Sequence, residues 1–66
     1  MKYKLTIQTK ECSGRTLHRI ECVESFSNVK VGDLGGWIES DNNLSDFGNA
    51  WVCGDAKVFG DAKVFG

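Results

Sequence analysis

With 66 residues, 41% of them hydrophobic and 26% charged, the chain has room for one domain, and a net charge of −1 singles out no class of partner. That hydrophobic share argues against a disordered segment, no run approaches the about 20 apolar residues of a membrane span, and three cysteines at irregular spacing (Cys12, Cys22, Cys53) argue against a disulfide framework. A chain this short sits near the lower limit of independent stability, so an oligomer, a partner or very regular backbone hydrogen bonding is expected to support it.

The first segment, "KYKLTIQT", alternates strictly, with Tyr3, Leu5, Ile7 and Thr9 on one side and Lys2, Lys4, Thr6 and Gln8 on the other. That is the pattern of a half-buried strand. "ECSG" follows, and its Gly14 supplies the positive φ that a hairpin loop needs before "RTLHRIECVE" returns. Setting Lys10 against Arg15 places Ile7 opposite His18, Leu5 opposite Ile20 and Tyr3 opposite Cys22. One face is then apolar, with His18 inside it, whereas a one-residue slip sets Leu5 against Arg19. "NVKVG" (28–32) is expected to add a short third strand, and "ESFS" before it has no assignment.

His18 is the only histidine, and no Ser, Cys or Asp lies at a spacing that marks a nucleophile or an orienting partner, so it is read as a packing or surface residue. With the thiols it makes a zinc site only on paper, because the close Cys-x2-Cys pairs of such sites are missing. No metal, cofactor or catalytic residue is expected.

From Leu34 onward the chain falls into hexads. Leu34, Ser40, Asp46, Val52, Val58 and Val64 hold the first position, Ile38, Leu44, Ala50, Ala56 and Ala62 the fifth, and Gly48, Gly54, Gly60 and Gly66 the third. An aliphatic residue followed four later by a small one suits a triangular coil with one hexad per side and a Gly-Asp or Gly-Asn pair at the bend. Three sides give eighteen residues per turn. Leu34 is then expected under Val52, Ile38 under Ala56, Leu44 under Ala62 and Phe47 under Phe65, with Trp37 beside Asp55 and Glu39 meeting Lys57; Ser40 under Val58 and Asp46 under Val64 fit less well. The competing arrangement is an antiparallel meander turning at Gly54-Asp55 and Gly60-Asp61, with the two "GDAKVF" words side by side. The expected fold is all-β, a single domain over 1–66: an N-terminal β-hairpin region (1–31) leading into a short, truncated triangular β-solenoid of fewer than two coils (34–66).

"LHRI…VKVGDLGGWIES…NLSDFGNAWVCGDAKVFGDAKVFG" resembles a phage and bacterial family in which a small hairpin region leads through a "GDLGG" turn into hexapeptide β-solenoid repeats. The resemblance covers nearly the whole chain, and its most specific part is Val31 to Val52. In that family the repeats often continue for many more coils, and it implies a phage context here. Many hexapeptide solenoids are acyltransferases, but those resemble long coils with a histidine between subunits, whereas His18 falls in the hairpin. No enzyme is expected.

Charge separates along the chain. Residues 1–30 hold Lys2, Lys4, Lys10, Arg15, Arg19 and Lys30 against Glu11, Glu21 and Glu24; residues 31–66 hold Asp33, Glu39, Asp41, Asp46, Asp55 and Asp61 against Lys57 and Lys63. The basic residues are expected on both hairpin faces, so no direct binding of nucleic acid is expected. Two functional expectations follow. One is a small phage-type inhibitor, an anti-CRISPR protein that covers a CRISPR-Cas surveillance complex in the host bacterial cytoplasm and blocks DNA binding. In it, Asp33, Glu39, Asp41, Asp46, Asp55 and Asp61 would mimic the phosphates of DNA. The alternative is a structural capping module that self-associates through an open coil edge flanked by an aromatic strip, Phe47, Phe59 and Phe65. Asp beside Gly also favours turns for its own local hydrogen bonds, and the exposed rings also serve merely to cover a corner.

Overall fold

The alternating N-terminal segment forms β1 (Tyr3–Cys12), which turns through Ser13 and Gly14 into β2 (Arg15–Cys22). The structure, a computed structural model, describes residues 1–65. Both loop residues have positive φ, 53° and 78°, as a two-residue hairpin turn of matching twist requires. Tyr3 faces Cys22 and Leu5 faces Ile20, as the apolar pattern demands.

Beyond Leu5 the register departs from expectation. Cys12, not Lys10, faces Arg15, and Thr9, not Ile7, faces His18. The tight Ser-Gly loop fixes one end of the hairpin and the buried Tyr3–Cys22 pair fixes the other. The two ends disagree by two residues, so Thr6, Ile7 and Gln8 bulge opposite Arg19. Thr6 holds the bulge: its Oγ1 donates to Arg19 O at 2.8 Å and accepts from Gln8 N–H at 3.3 Å. The His18 Nδ1 lies 3.2 Å from Thr6 O. Ile7 is thereby turned out of the apolar face and is 98% exposed.

No strand forms over 28–32. Phe26 and Val29 instead bridge across a tight turn with Ser27 at φ 47°, which also settles the unassigned "ESFS". The third strand is β3 (Leu34–Ile38), antiparallel to β2, with His18 facing Ile38 and Arg19 facing Trp37. Its glycines are required by contact. A Cβ on Gly35 would lie 2.5 Å from Val52 O, and one on Gly36 would lie 2.5 Å from Val52 Cγ1 and 2.6 Å from Ala56 O.

The last strand, β4 (Lys57–Val58), runs parallel to β3, and Val64 bridges in parallel to Leu44. The sheet is therefore mixed and four-stranded, ordered β1-β2-β3-β4, and the fold is mainly β; its helical content is a short 3-10 turn over Asp41–Asn43. The two "GDAKVF" words do not pair with each other. Each repeats one corner: Gly54 and Gly60 take φ 60° and 65°, and Ala56 N–H and Ala62 N–H bond back to Cys53 O and Phe59 O.

The stacking interval is not the expected one. Ile38 lies beside Val58 and Leu44 bridges to Val64, so partners stand twenty apart in sequence rather than eighteen. The cause is visible in the burial. Ile38, Leu44 and Ala50 are buried at six-residue steps, and then Val52, two residues on, is buried as well and starts the series Val52, Val58, Val64. That two-residue slip leaves Ala56 and Ala62 exposed and Leu34 48% exposed, where the hexad pattern puts them inside. It also replaces the expected pairs at the surface: Trp37 faces Lys57 rather than Asp55, and Glu39 bonds Arg15 rather than Lys57. The core is one cluster of Tyr3, Ile20, Ile38, Leu44, Ala50 and Val52, closed by Leu5, Trp51, Val58 and Val64.

Candidate functional site

Of the six carboxylates expected to form an acidic surface, three are spent within the fold. Asp33 Oδ2 accepts from Lys30 N–H at 2.9 Å, which closes a local turn. Asp46 Oδ1 accepts from Lys2 N–H at 2.8 Å and ties the N-terminus to the repeat region. Glu39 Oε1 accepts from Arg15 Nη1 at 2.8 Å and from Gly60 N–H at 2.9 Å. The Gly60 N–H, with the Arg15 guanidinium in support, holds the Glu39 carboxyl below the ordinary glutamate range.

Asp41, Asp55 and Asp61 are different. All three are exposed and none forms an ion pair among the described residues, although the Asp41 carboxylate lies close enough to the Tyr3 hydroxyl to act on it as a charge and a hydrogen-bond partner. Ile38 pairs with Val58 and Leu44 with Val64, so Asp41 and Asp61 fall in matching segments between two paired residues. Asp55 occupies the equivalent place in the neighbouring "GDAKVF" corner.

The three phenylalanines of the expected aromatic strip differ in exposure. Phe47 and Phe65 are 83% and 74% exposed, whereas Phe59 is half-buried with the Arg15 guanidinium 5.6 Å from its ring centre. Phe65 carries Lys63 Nζ at 5.7 Å. The expected stacking of Phe47 under Phe65 fails with the interval of twenty: Val64 meets Ser45 through a backbone bond of 3.0 Å, which leaves Phe47 beyond it.

Two features escaped the sequence reading. Asn43 is fully buried and joins both levels of the parallel pair. Its Oδ1 accepts from Glu39 N–H and Ser40 N–H at 3.1 and 2.9 Å, and its Nδ2 donates to Gly60 O and Ala62 O at 3.2 and 2.8 Å. Tyr3 reaches the same turn, donating to Leu44 O at 3.1 Å and lying 3.2 Å from Asp41 O. Burial first, then the nearby charges of Asp41 and Asp46, push its hydroxyl up to about 12.

Second, the basic residues do not spread over both hairpin faces. Cross-strand partners share a face, so the pairs Lys4–Glu21, Lys10–Leu17, Cys12–Arg15 and Arg19–Trp37–Lys57 place Lys4, Lys10, Arg15, Arg19 and Lys57 together. Lys2 stands apart, buried under Phe26 with its Nζ 3.1 Å from Gly48 O. His18 and the three free thiols lie at separate places, and no group of three potential metal ligands converges among the described residues. No helix among them is long and apolar enough to cross a membrane. The chain matches no protein-family model and no curated protein.

Proposed function

We propose that the chain is a small, non-enzymatic binding protein of the phage type that covers a nucleic-acid-binding surface of a host complex, a CRISPR surveillance complex being the preferred target. Its C-terminal half is taken as a hexapeptide-solenoid winding. The observation that carries the reading is the set of three exposed carboxylates, Asp41, Asp55 and Asp61, in turns of the C-terminal half and without a cationic partner among the described residues. Anionic groups repeated along a rigid edge resemble a run of phosphates, and they attract the lysines and arginines that otherwise hold DNA. Asp33, Glu39 and Asp46 drop out of the contact set because the fold uses them.

The test is capture of partners from bacterial lysate at low and high salt, wild type beside an Asp41→Asn/Asp55→Asn/Asp61→Asn variant. A surveillance complex retained at low salt, released by salt and lost in the variant supports inhibition. Retention that ignores both salt and the three substitutions overturns mimicry.

A second reading, a self-associating structural module in the bacterial or phage cell, is favoured by Phe47 and Phe65. Large rings this exposed commonly mark contacts, and β4 has a paired neighbour on one side only. Under this reading the chain sediments as an oligomer, and Phe47→Ser/Phe65→Ser returns it to a monomer.

A further inference from the structure

The face that gathers Lys4, Lys10, Arg15, Arg19 and Lys57 lies opposite the apolar core, and its centre is Trp37. The Lys10 Nζ stands 4.6 Å and the Arg19 guanidinium 5.3 Å from the centre of that one ring. Two cations are thus drawn to the same π-system, although they repel each other. Neither is neutralised. The Arg19 Nε donates to the Gly35 carbonyl at 3.1 Å, and the ion pair found among the described residues, Arg15 with Glu39, does not involve them. The ring they share is 7% exposed, and its Nε1–H is buried without an acceptor among the described residues. Buried donors without partners are uncommon in folded proteins. An anion on this face would relieve the repulsion between Lys10 and Arg19.

We propose that this face binds the phosphate backbone of single-stranded nucleic acid. Lys4, Lys10, Arg19 and Lys57 are its contacts; Arg15 is left out because Glu39 holds it, whereas Glu21, across from Lys4 on the same face, forms no ion pair with it among the described residues. The four are distributed over a sheet four strands wide, about 14 Å from β1 to β4. Such a strip suits a few successive phosphates of a flexible strand, and it offers no helix to enter a duplex groove. With Trp37 covered by its two cations, the contacts are to phosphate rather than to stacked bases, so binding is indifferent to sequence. The site is independent of Asp41, Asp55 and Asp61, and it stands or falls apart from the mimicry proposed above.

The experiment is fluorescence anisotropy of a labelled single-stranded oligonucleotide against wild type, Lys10→Gln/Arg19→Gln and Lys30→Gln, each first shown to be folded by circular dichroism. Lys30 is exposed and lies outside the face. With about 0.7 counterions released per phosphate contact, four contacts give a log–log salt slope near −2.8, or roughly a fifty-fold loss of affinity from 50 to 200 mM salt. Losing two contacts halves the slope, and the same salt step then costs roughly seven-fold. Lys30→Gln is expected to match wild type, and so is the Asp41→Asn/Asp55→Asn/Asp61→Asn variant or to bind somewhat more tightly. Absence of binding at 50 mM salt overturns the proposal, and so does equal behaviour of the Lys10→Gln/Arg19→Gln and Lys30→Gln proteins. Displacement by inorganic phosphate at the same phosphate concentration also overturns it, since a single-anion site needs no strand.

Discussion

Replacing Asn43 by alanine removes a buried side chain that bonds to both levels of the parallel pair. Four hydrogen bonds go with it, to Glu39 N–H, Ser40 N–H, Gly60 O and Ala62 O. At a net worth of about 1 kcal/mol each, the loss is about 4 kcal/mol, before any further penalty for buried groups left without partners. A domain of this size holds roughly 3–10 kcal/mol in total. One substitution in the middle of a turn is therefore expected to take a large part of the stability, with a fall in melting temperature of about 20 °C or more. Thermal and urea unfolding followed by circular dichroism measure it directly. Asn43→Asp separates hydrogen bonding from packing. It keeps the acceptor for the two N–H groups but turns a carboxylate oxygen toward two carbonyls, so at neutral pH it should also destabilise strongly. Relative to wild type at each pH, it should recover as acid protonates the new carboxyl and restores one donor. If Asn43→Ala loses less than about 1 kcal/mol, Asn43 does not hold the two levels together and the reasoning fails.

Two glycine substitutions should differ in size because their causes differ. Gly36→Ala drives a methyl into Val52 and the backbone of Ala56, with no flexible group to yield, and should cost more than about 3 kcal/mol or prevent folding. Gly54→Ala meets open space at φ 60° and pays only backbone strain, about 1–2 kcal/mol; equal costs in urea unfolding would contradict both assignments. Tyr3 is the only tyrosine, so an ultraviolet absorbance titration reports it alone. Its midpoint should lie near 12, and because its folded-state value is raised, its contribution to stability is complete below pH 10 and is lost as pH rises from 10 through 12. A midpoint near 10 in the folded protein would show that burial and Asp41 do not act on it. Glu39 has the opposite sign: its contribution is present above the ordinary glutamate value and is lost as pH falls through its lowered folded value, and Glu39→Gln should remove that part of the acid dependence seen in unfolding curves.

Where a residue's side was set by alternation against a buried face, the sequence was legible. Tyr3, Leu5, Ile20 and Cys22 meet as the pattern of "KYKL" and "HRIEC" requires, and the β character of the chain follows from such stretches. Legibility failed where two local rules competed. The Ser13-Gly14 loop and the Tyr3–Cys22 pair each choose a register, and nothing in the chain says that a bulge at Thr6–Gln8 will reconcile them. The same holds for the hexads: glycine-marked corners are plain in "GDAKVF", but "AWV" offers two residues six apart from different neighbours, and both Ala50 and Val52 turn inward. Of the acidic residues, composition shows their number and hides their bonds. Glu39 and Asp46 look as free as Asp55 until Gly60 N–H and Lys2 N–H are found against them.

The two-residue slip at Ala50–Val52 also decides which charges remain available. An interval of eighteen would set Glu39 over Lys57 and neutralise both. At twenty, Lys57 faces Trp37, and Glu39 is released to Arg15 and Gly60. Arg15 is thereby removed from the basic face, but Lys57 is added to it beside Arg19, and Asp41 and Asp61 fall in matching segments of the two levels. A repeat register that is usually regarded as a matter of packing thus fixes the electrostatics of both faces. Replacing Lys57 by glutamine removes the cation that this register places beside Trp37. Such a variant should keep its β content by circular dichroism yet lose most of one lysine's share, about 0.7, of the salt dependence of oligonucleotide binding. If the slope is unchanged, the register does not control the charge of the face.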